Sequence, residues 1–245
     1  MELHMDGSYI MPGSEKDALV TIFGVPFDRR AAGIPGQSLG PNAIREAWQL
    51  LEPCGKFRDI GNLVCGSPED LDSKLKDTVS RAKGPFLALG GDHSITIPIV
   101  ESLKPKKVVL FDAHDDFRDE FLGFRRGAMN VAARVADAVG KKNLCIIGVR
   151  QISEGVDSIM KRIPDGFEKC YISIDIDVLD PSFAPGTGTP VPCGLSVKEL
   201  ISLLQGLEPV SADIVEVNPL IERNTTCTTA AYICQHLLRL PWPRR

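Results

Sequence analysis

The chain is short of histidine, of basic charge and of long apolar runs, and each shortage narrows what it can do. Only His4, His93, His114 and His236 occur among its 245 residues, so any imidazole chemistry must use one of these four. Lysine and arginine (28) fall below aspartate and glutamate (32), leaving a net charge of −4. With no basic stripe in view, this balance argues against a nucleic-acid partner. No apolar run is long enough to span a bilayer, which argues against a membrane role. The opening stretch MELHMDGSYIMPGSEKD has neither a basic n-region nor a long apolar h-region, so no secretory signal is expected. The seven cysteines, Cys54, Cys65, Cys145, Cys170, Cys193, Cys227 and Cys234, are odd in number and form no CxxC pair. Free thiols in a reducing cytoplasm are the expectation. There is no internal repeat and no low-complexity linker, so one domain is expected over 1–245.

What is present is a soluble, globular composition, 43% hydrophobic and 24% charged, with enough chain for one large core. β-type runs at 18–26, 84–91, 106–114, 143–150, 170–178 and 212–219 alternate with helical patterns at 41–51, 68–83, 128–140, 196–207 and 228–240. Thr228 or a neighbour is a candidate cap for the last helix, and Pro241 marks its stop. Alternation of this kind predicts an α/β fold, three layers with a mostly parallel central sheet covered by helices on both faces. The Gly/Pro-rich stretches AAGIPGQSLGP (31–41) and DPSFAPGTGTPVPCG (180–194) are long for plain connections, which hints at function.

Three apolar runs end in hydrophilic clusters: FLALGGDHS, VVLFDAHDDF and YISIDIDV. Side chains two apart on a strand share a face. Extended strand geometry would therefore align Asp112, His114 and Asp116, and likewise Ser173, Asp175 and Asp177. Ligands of parallel sheets bind at the carboxyl ends of strands. Buried carboxylates gathered there are costly unless something positive lies between them. His93, Asp112, His114, Asp116, Asp175 and Asp177 are too many for one tetrahedral zinc, and too rich in oxygen for a structural one. They suit two hard or borderline divalent ions with carboxylates bridging, and Mn²⁺ fits the ligand softness best.

GGDHS, DAHDD and SIDIDVLDPSFAPGTGTPVPCGLS resemble the arginase/agmatinase (ureohydrolase) family, and so do GVPFDRRAAGIPGQSLGPNAIREA and DIVEVNP. The resemblance runs from about Gly24 to the last helix. It implies an arginase-like α/β/α fold and a dinuclear manganese centre, two Mn²⁺ per chain. By motif, His93 would bind one ion and His114 the other. Asp112 and Asp175 would touch both, while Asp116 and Asp177 complete the two shells. Glu216 in DIVEVNP matches the glutamate that holds a substrate guanidinium. The family also implies homo-oligomers, trimers or hexamers. The implied reaction is hydrolysis of agmatine or a related small guanidino compound to urea and an amine. A guanidinium carbon is a poor electrophile, and a hydroxide bridging two metals would supply a strong nucleophile at neutral pH.

The loop FRDEFLGFRRGAMN lacks the Asn-containing pattern usual in arginases, and RDEF and APGTGTP look more like agmatinase-type members. Arg118, Arg125 and Arg126 leave room for an acidic guanidino substrate, with Arg118 the candidate substrate contact; solvated surface or subunit contacts are the plainer reading of all three. Aligned without gaps, Ala128 stands where agmatinase-like members carry a proton-shuttle histidine. A different alignment of FRR moves that slot to about Glu120, so Glu120 is the candidate general acid. Without a shuttle histidine, a non-catalytic metal-binding homologue and a hydrolase of another C–N bond stay open as alternatives.

Overall fold

The computed structural model describes residues 4–7, 10–12, 15, 18–52, 55–151 and 162–243; Cys54 lies outside them. An eight-stranded sheet carries the strands β1 (Met5–Asp6), β2 (Val20–Gly24), β3 (Phe57–Leu63), β4 (Phe86–Leu89), β5 (Val108–Phe111), β6 (Leu144–Ile147), β7 (Lys169–Asp175) and β8 (Glu208–Val215). Their order across the sheet is β1-β3-β2-β4-β8-β7-β5-β6. The paired strands run parallel except β1, which lies antiparallel on β3 at one edge.

The helices α1 (Gly40–Trp48), α2 (Pro68–Ser80), α3 (Thr96–Leu103), α4 (Val131–Val139), α5 (Val197–Leu204) and α6 (Asn224–Leu238) divide between the two sheet faces. Ile44, Trp48, Leu200, Leu204, Ile233 and Leu237 of α1, α5 and α6 share one core with Leu87, Leu89, Val109 and Phe111. Leu71, Leu75, Ile97, Val131 and Val135 of α2, α3 and α4 share the other with Phe86, Ala88, Val108 and Leu110. Alternate strand residues thus enter opposite cores, as a sheet covered on both faces requires. The three-layer α/β/α expectation holds.

Several local expectations need correction. The strand β3, FRDIGNL, was not legible from its apolar content, nor was α3, TIPIVESL, whose β-branched residues favour a strand and whose Pro98 argues against a helix interior. Burial overrides that preference, since Thr96 to Val100 are all buried. The expected strands are mostly trimmed at their ends, whereas β7 begins at Lys169 and β8 at Glu208. The last helix begins at Asn224, so Thr228 lies inside it and caps nothing; Glu222 instead accepts from the Thr225 and Thr226 N–H groups. By contrast Ser196 and Glu199 form a reciprocal capping box that opens α5.

β3 escaped detection because it carries Asp59, whose partner is on α1. Arg45 Nε and Nη2 reach Asp59 Oδ2 and Oδ1 at 2.8 and 2.9 Å, with both side chains sealed from solvent. Removing one member of such a pair strands the other charge. Asp59→Ala is expected to destabilise the fold by about 3–5 kcal/mol, read by urea unfolding, and the double variant Arg45→Met/Asp59→Ala to recover most of that loss.

Candidate metal centre

Four neighbouring strands, in the order β4-β8-β7-β5, end on the same edge of the sheet, and each releases part of one site. His93 follows β4, Asp112 to Asp116 follow β5, Asp175 ends β7 and Glu216 follows β8. The strand alternation expected for these residues continues only in part, since His114 still forms a parallel bridge with Gln151. β5 stops at Phe111, and Asp116 takes a left-handed backbone with φ 47°. β7 stops at Asp175, and Ile176–Val178 form a 3-10 turn in which Asp175 accepts from the Asp177 N–H at 2.9 Å. Asp112 and His114 thus meet along extended chain, whereas the left-handed backbone at Asp116 and the 3-10 turn after Asp175 bring in the other ligand candidates.

Two groups result, His93 with Asp112 and Asp175, and Asp112 with His114 and Asp177. Asp112 belongs to both, its Oδ2 lying 3.1 Å from His93 Nδ1 and its Oδ1 3.4 Å from His114 Nδ1. Asp175 lies 3.3 Å from His93 Nδ1, and Asp177 lies 2.9 Å from His114 Nδ1. Asp116 stands beside the first group, 3.6 Å from His93 Nδ1. All six residues are buried.

The donor set fits a cation. His93 Nδ1 is buried, faces three carboxylate oxygens and has no hydrogen-bond partner among the described residues. The other side of the ring explains why. His93 Nε2 lies 3.0 Å from Ser173 Oγ, and Ser173 donates at 2.5 Å to Asp213 Oδ1. Tyr171 and Thr96 donate to Asp213 Oδ2 at 2.5 and 2.8 Å. Ser173 spends its proton on Asp213, so it accepts from Nε2–H, which leaves Nδ1 as the ring atom that would meet a cation. Neither Ser173 nor Asp213 was anticipated as a support for His93, although a carboxylate in the middle of the apolar run ADIVEV was a signal.

Electrostatics agree with a missing positive charge. Burial pushes Asp116 well above the usual carboxylate range, with Asp112 adding to it, and burial does the same for Asp175, with Asp177 and Asp112 adding. Burial opposes the charged form of His93 and His114. Even so, their carboxylate neighbours, Asp112 and Asp175 for His93 and Asp112 and Asp177 for His114, hold both imidazoles well above their ordinary range. Without an ion, protons on imidazole and carboxyl groups are the available neutralisation.

Glu216 adopts φ 63°. Its N–H donates to Gly91 O at 2.9 Å, and its Oε1 accepts from the His93 N–H at 2.8 Å. The turn after β4 is pressed against the chain at Phe27, where a Cβ on Gly91 would come 1.8 Å from the Phe27 carbonyl oxygen. That approach requires glycine. Burial raises the Glu216 carboxyl to about 8, and Asp92 adds to the shift.

The remaining candidates lie apart from this cluster's bonding. Arg118 and Glu120 are exposed. The Arg118 guanidinium stands 5.0 Å from the Phe121 ring centroid, and Glu120 makes no hydrogen bond or ion pair among the described residues. Arg125 binds Asp119, and Arg126 binds Glu101 and Asp72, which ties the loop to α2 and α3. Ala128 is buried, its N–H donating to Arg30 O at 3.1 Å. Cys193 is exposed, and the six described cysteines are free. Among the described residues no helix is long and apolar enough to cross a membrane.

Known proteins bear the same stamp. The arginase family profile matches residues 18–163 and 152–239, two overlapping stretches. Agmatinase of Photorhabdus laumondii is 33% identical, the alignment covering 91% of this chain and 87% of that one. Proclavaminate amidinohydrolase of Streptomyces clavuligerus is 32% identical over 83% of this chain and 81% of its own. The crystal structure of the agmatine ureohydrolase of Thermoplasma volcanium superimposes with a TM-score of 0.85 at 28% identity, covering 94% of this chain and 93% of that chain. With this sheet order, this cluster and matches of this extent, the chain belongs to the arginase family.

Proposed function

We propose that this protein is a Mn²⁺-dependent hydrolase that cleaves the guanidino group of agmatine or a related small guanidino compound, giving urea and an amine. The observation that carries the reading is the placement of the buried Glu216 carboxylate directly against His93, so that a group paired with one lies beside the ligand cluster of the other. The names of the similar agmatinases and of the amidinohydrolase support the substrate class. Asp112 and Asp175 would each serve both ions, His93 and Asp116 the first, and His114 and Asp177 the second. When bound, the ions supply the positive charge that acidifies a water to a nucleophile at neutral pH.

The chain's own residues do the rest. Glu216 pairs with the planar guanidinium and orients its carbon over the ligand cluster. Burial keeps competing water from that contact. Departure of the amine requires a proton. Glu120 is the candidate donor from the flanking loop, and Ala128 marks the alternative slot. Arg118, on that loop, is the candidate contact for the far end of an acidic substrate. Urea release from a panel of guanidino compounds, with Mn²⁺ added, tests the reading. No urea from any of them, with metal bound, would favour the non-catalytic or other C–N hydrolase reading.

Two variants locate the proton donor. A positioned general acid is worth roughly 10²–10⁴-fold in rate. If Glu120 is the donor, Glu120→Gln should lower kcat by an amount in that range, and Ala128→His should change little. If the slot at Ala128 is unfilled, Ala128→His should raise kcat, and Glu120→Gln should be silent.

A further inference from the structure

The long stretch AAGIPGQSLGP converges on one side chain, Gln37. It is fully buried, and its Nε2 donates to Glu216 Oε2 at 2.9 Å, across 179 positions of sequence. Its Oε1 is buried without a partner among the described residues. Burying an amide with one end unsatisfied is unfavourable, and an apolar residue of the same shape would avoid it. What the amide gains is a single bond to a buried carboxylate.

The surroundings hold that amide in place. Asp28 Oδ2 accepts from Gly36 N, Ser38 N and Ser38 Oγ at 3.0, 3.3 and 2.7 Å, locking the turn that carries Gln37. Asn218, two residues past Glu216, donates from Nδ2 to Ile34 O at 2.8 Å. The other long loop closes from the opposite side, where a Cβ on Gly188 would come 2.9 Å from Gln37 Nε2.

A carboxylate has about four acceptor positions, two on each oxygen. Here one on each is occupied, Oε1 by the His93 N–H and Oε2 by Gln37. One on each is left. Two acceptors on fixed, neighbouring oxygens match a pair of parallel N–H donors, the edge a guanidinium or amidinium presents and an ammonium does not.

We propose that Gln37 is a positioning and specificity-determining residue: it fixes Glu216 so that the carboxylate accepts a two-pronged N–H edge, and thereby selects planar guanidino or amidino groups over simple amines. This rests on the reading of Glu216 as the partner of the substrate guanidinium, and it gives both long loops a task. The test uses the full chain loaded with Mn²⁺, with guanidinium and ammonium ions as calorimetric probes and agmatine as substrate. Gln37→Met should keep its metal content and weaken guanidinium binding about ten- to a hundredfold. Ammonium binding should change little, and KM for agmatine should rise more than kcat falls. Gln37→Leu, which fills the same space with no donor and no added charge, should weaken guanidinium as much, and it decides the matter if Gln37→Met does not fold. Guanidinium binding equal to wild type in the folded, metal-loaded variants would overturn the role of Gln37 and leave that of Glu216 standing, as would equal losses for both probes. A wild-type protein that binds no guanidinium would overturn both.

Discussion

Exchanging Asp112 for alanine is expected to strip the protein of both metal ions at once. Its two oxygens face two different imidazoles, Oδ2 toward His93 and Oδ1 toward His114, and it alone belongs to both three-residue groups. Wild-type protein reconstituted with Mn²⁺ should hold about two equivalents by elemental analysis. Asp112→Ala should fall toward none, whereas Asp177→Ala should lose the ion nearer His114 and keep the other. An Asp175→Ala variant that still holds two equivalents would defeat the assignment of Asp175 to both ions. Loss of metal should register as loss of stability, about 4 kcal/mol where wild type is held at a thousand times its dissociation constant. The sign with pH follows from the same cluster. The imidazoles are held above their ordinary range by carboxylates, so metal uptake must displace protons. Affinity should therefore rise as pH rises and fall in acid, and a pH-stat titration with Mn²⁺ should record proton release. Uptake with no proton release would contradict the site as described.

Glu216→Gln should separate substrate recognition from metal binding. The variant keeps an oxygen able to accept from the His93 N–H, so the turn after β4 should survive and metal content should stay at the wild-type level. What it loses is the charge opposite the guanidinium, together with one of two acceptors. Truncating one partner of a buried charged pair costs about 2–5 kcal/mol, about thirtyfold to several thousandfold in kcat/KM. A metal-replete Glu216→Gln enzyme with unchanged kcat/KM would return Glu216 to an architectural role.

The sequence marked the candidate ligands before it showed how they meet. Apolar runs located β4, β5, β7 and β8 because each is buried on both faces, and the hydrophilic residues following them marked the active edge. Strand periodicity then held only as far as His114, which still bridges to Gln151, and failed at Asp116, whose φ is 47°. β3 was hidden by Arg58, Asp59 and Asn62, of which the last two answer a distant arginine on α1. α3 was hidden by its own composition, a buried and largely β-branched run from Thr96 to Val100. Gln37 could not be found by motif at all, because its significance lies in a contact with Glu216 at the other end of the chain. Residues whose role depended on chemistry alone were readable. Those whose role depended on a long-range contact were not.

Asp116 and Glu216 share an attribute that reaches beyond catalysis, for each is a side-chain-bearing residue held in the left-handed backbone region. Such a conformation costs roughly 1–3 kcal/mol, and both residues also bury a carboxyl group whose charged form is opposed by its surroundings. Glycine or asparagine at either position would relax the backbone and remove the buried acid. A directed-evolution campaign that selects this protein for thermal tolerance in chelating buffer would therefore enrich for loss of its own active site. Run with saturating Mn²⁺, the same selection would protect Asp116, because the ion makes that acid an asset, while Glu216, which holds no ion, would still be lost.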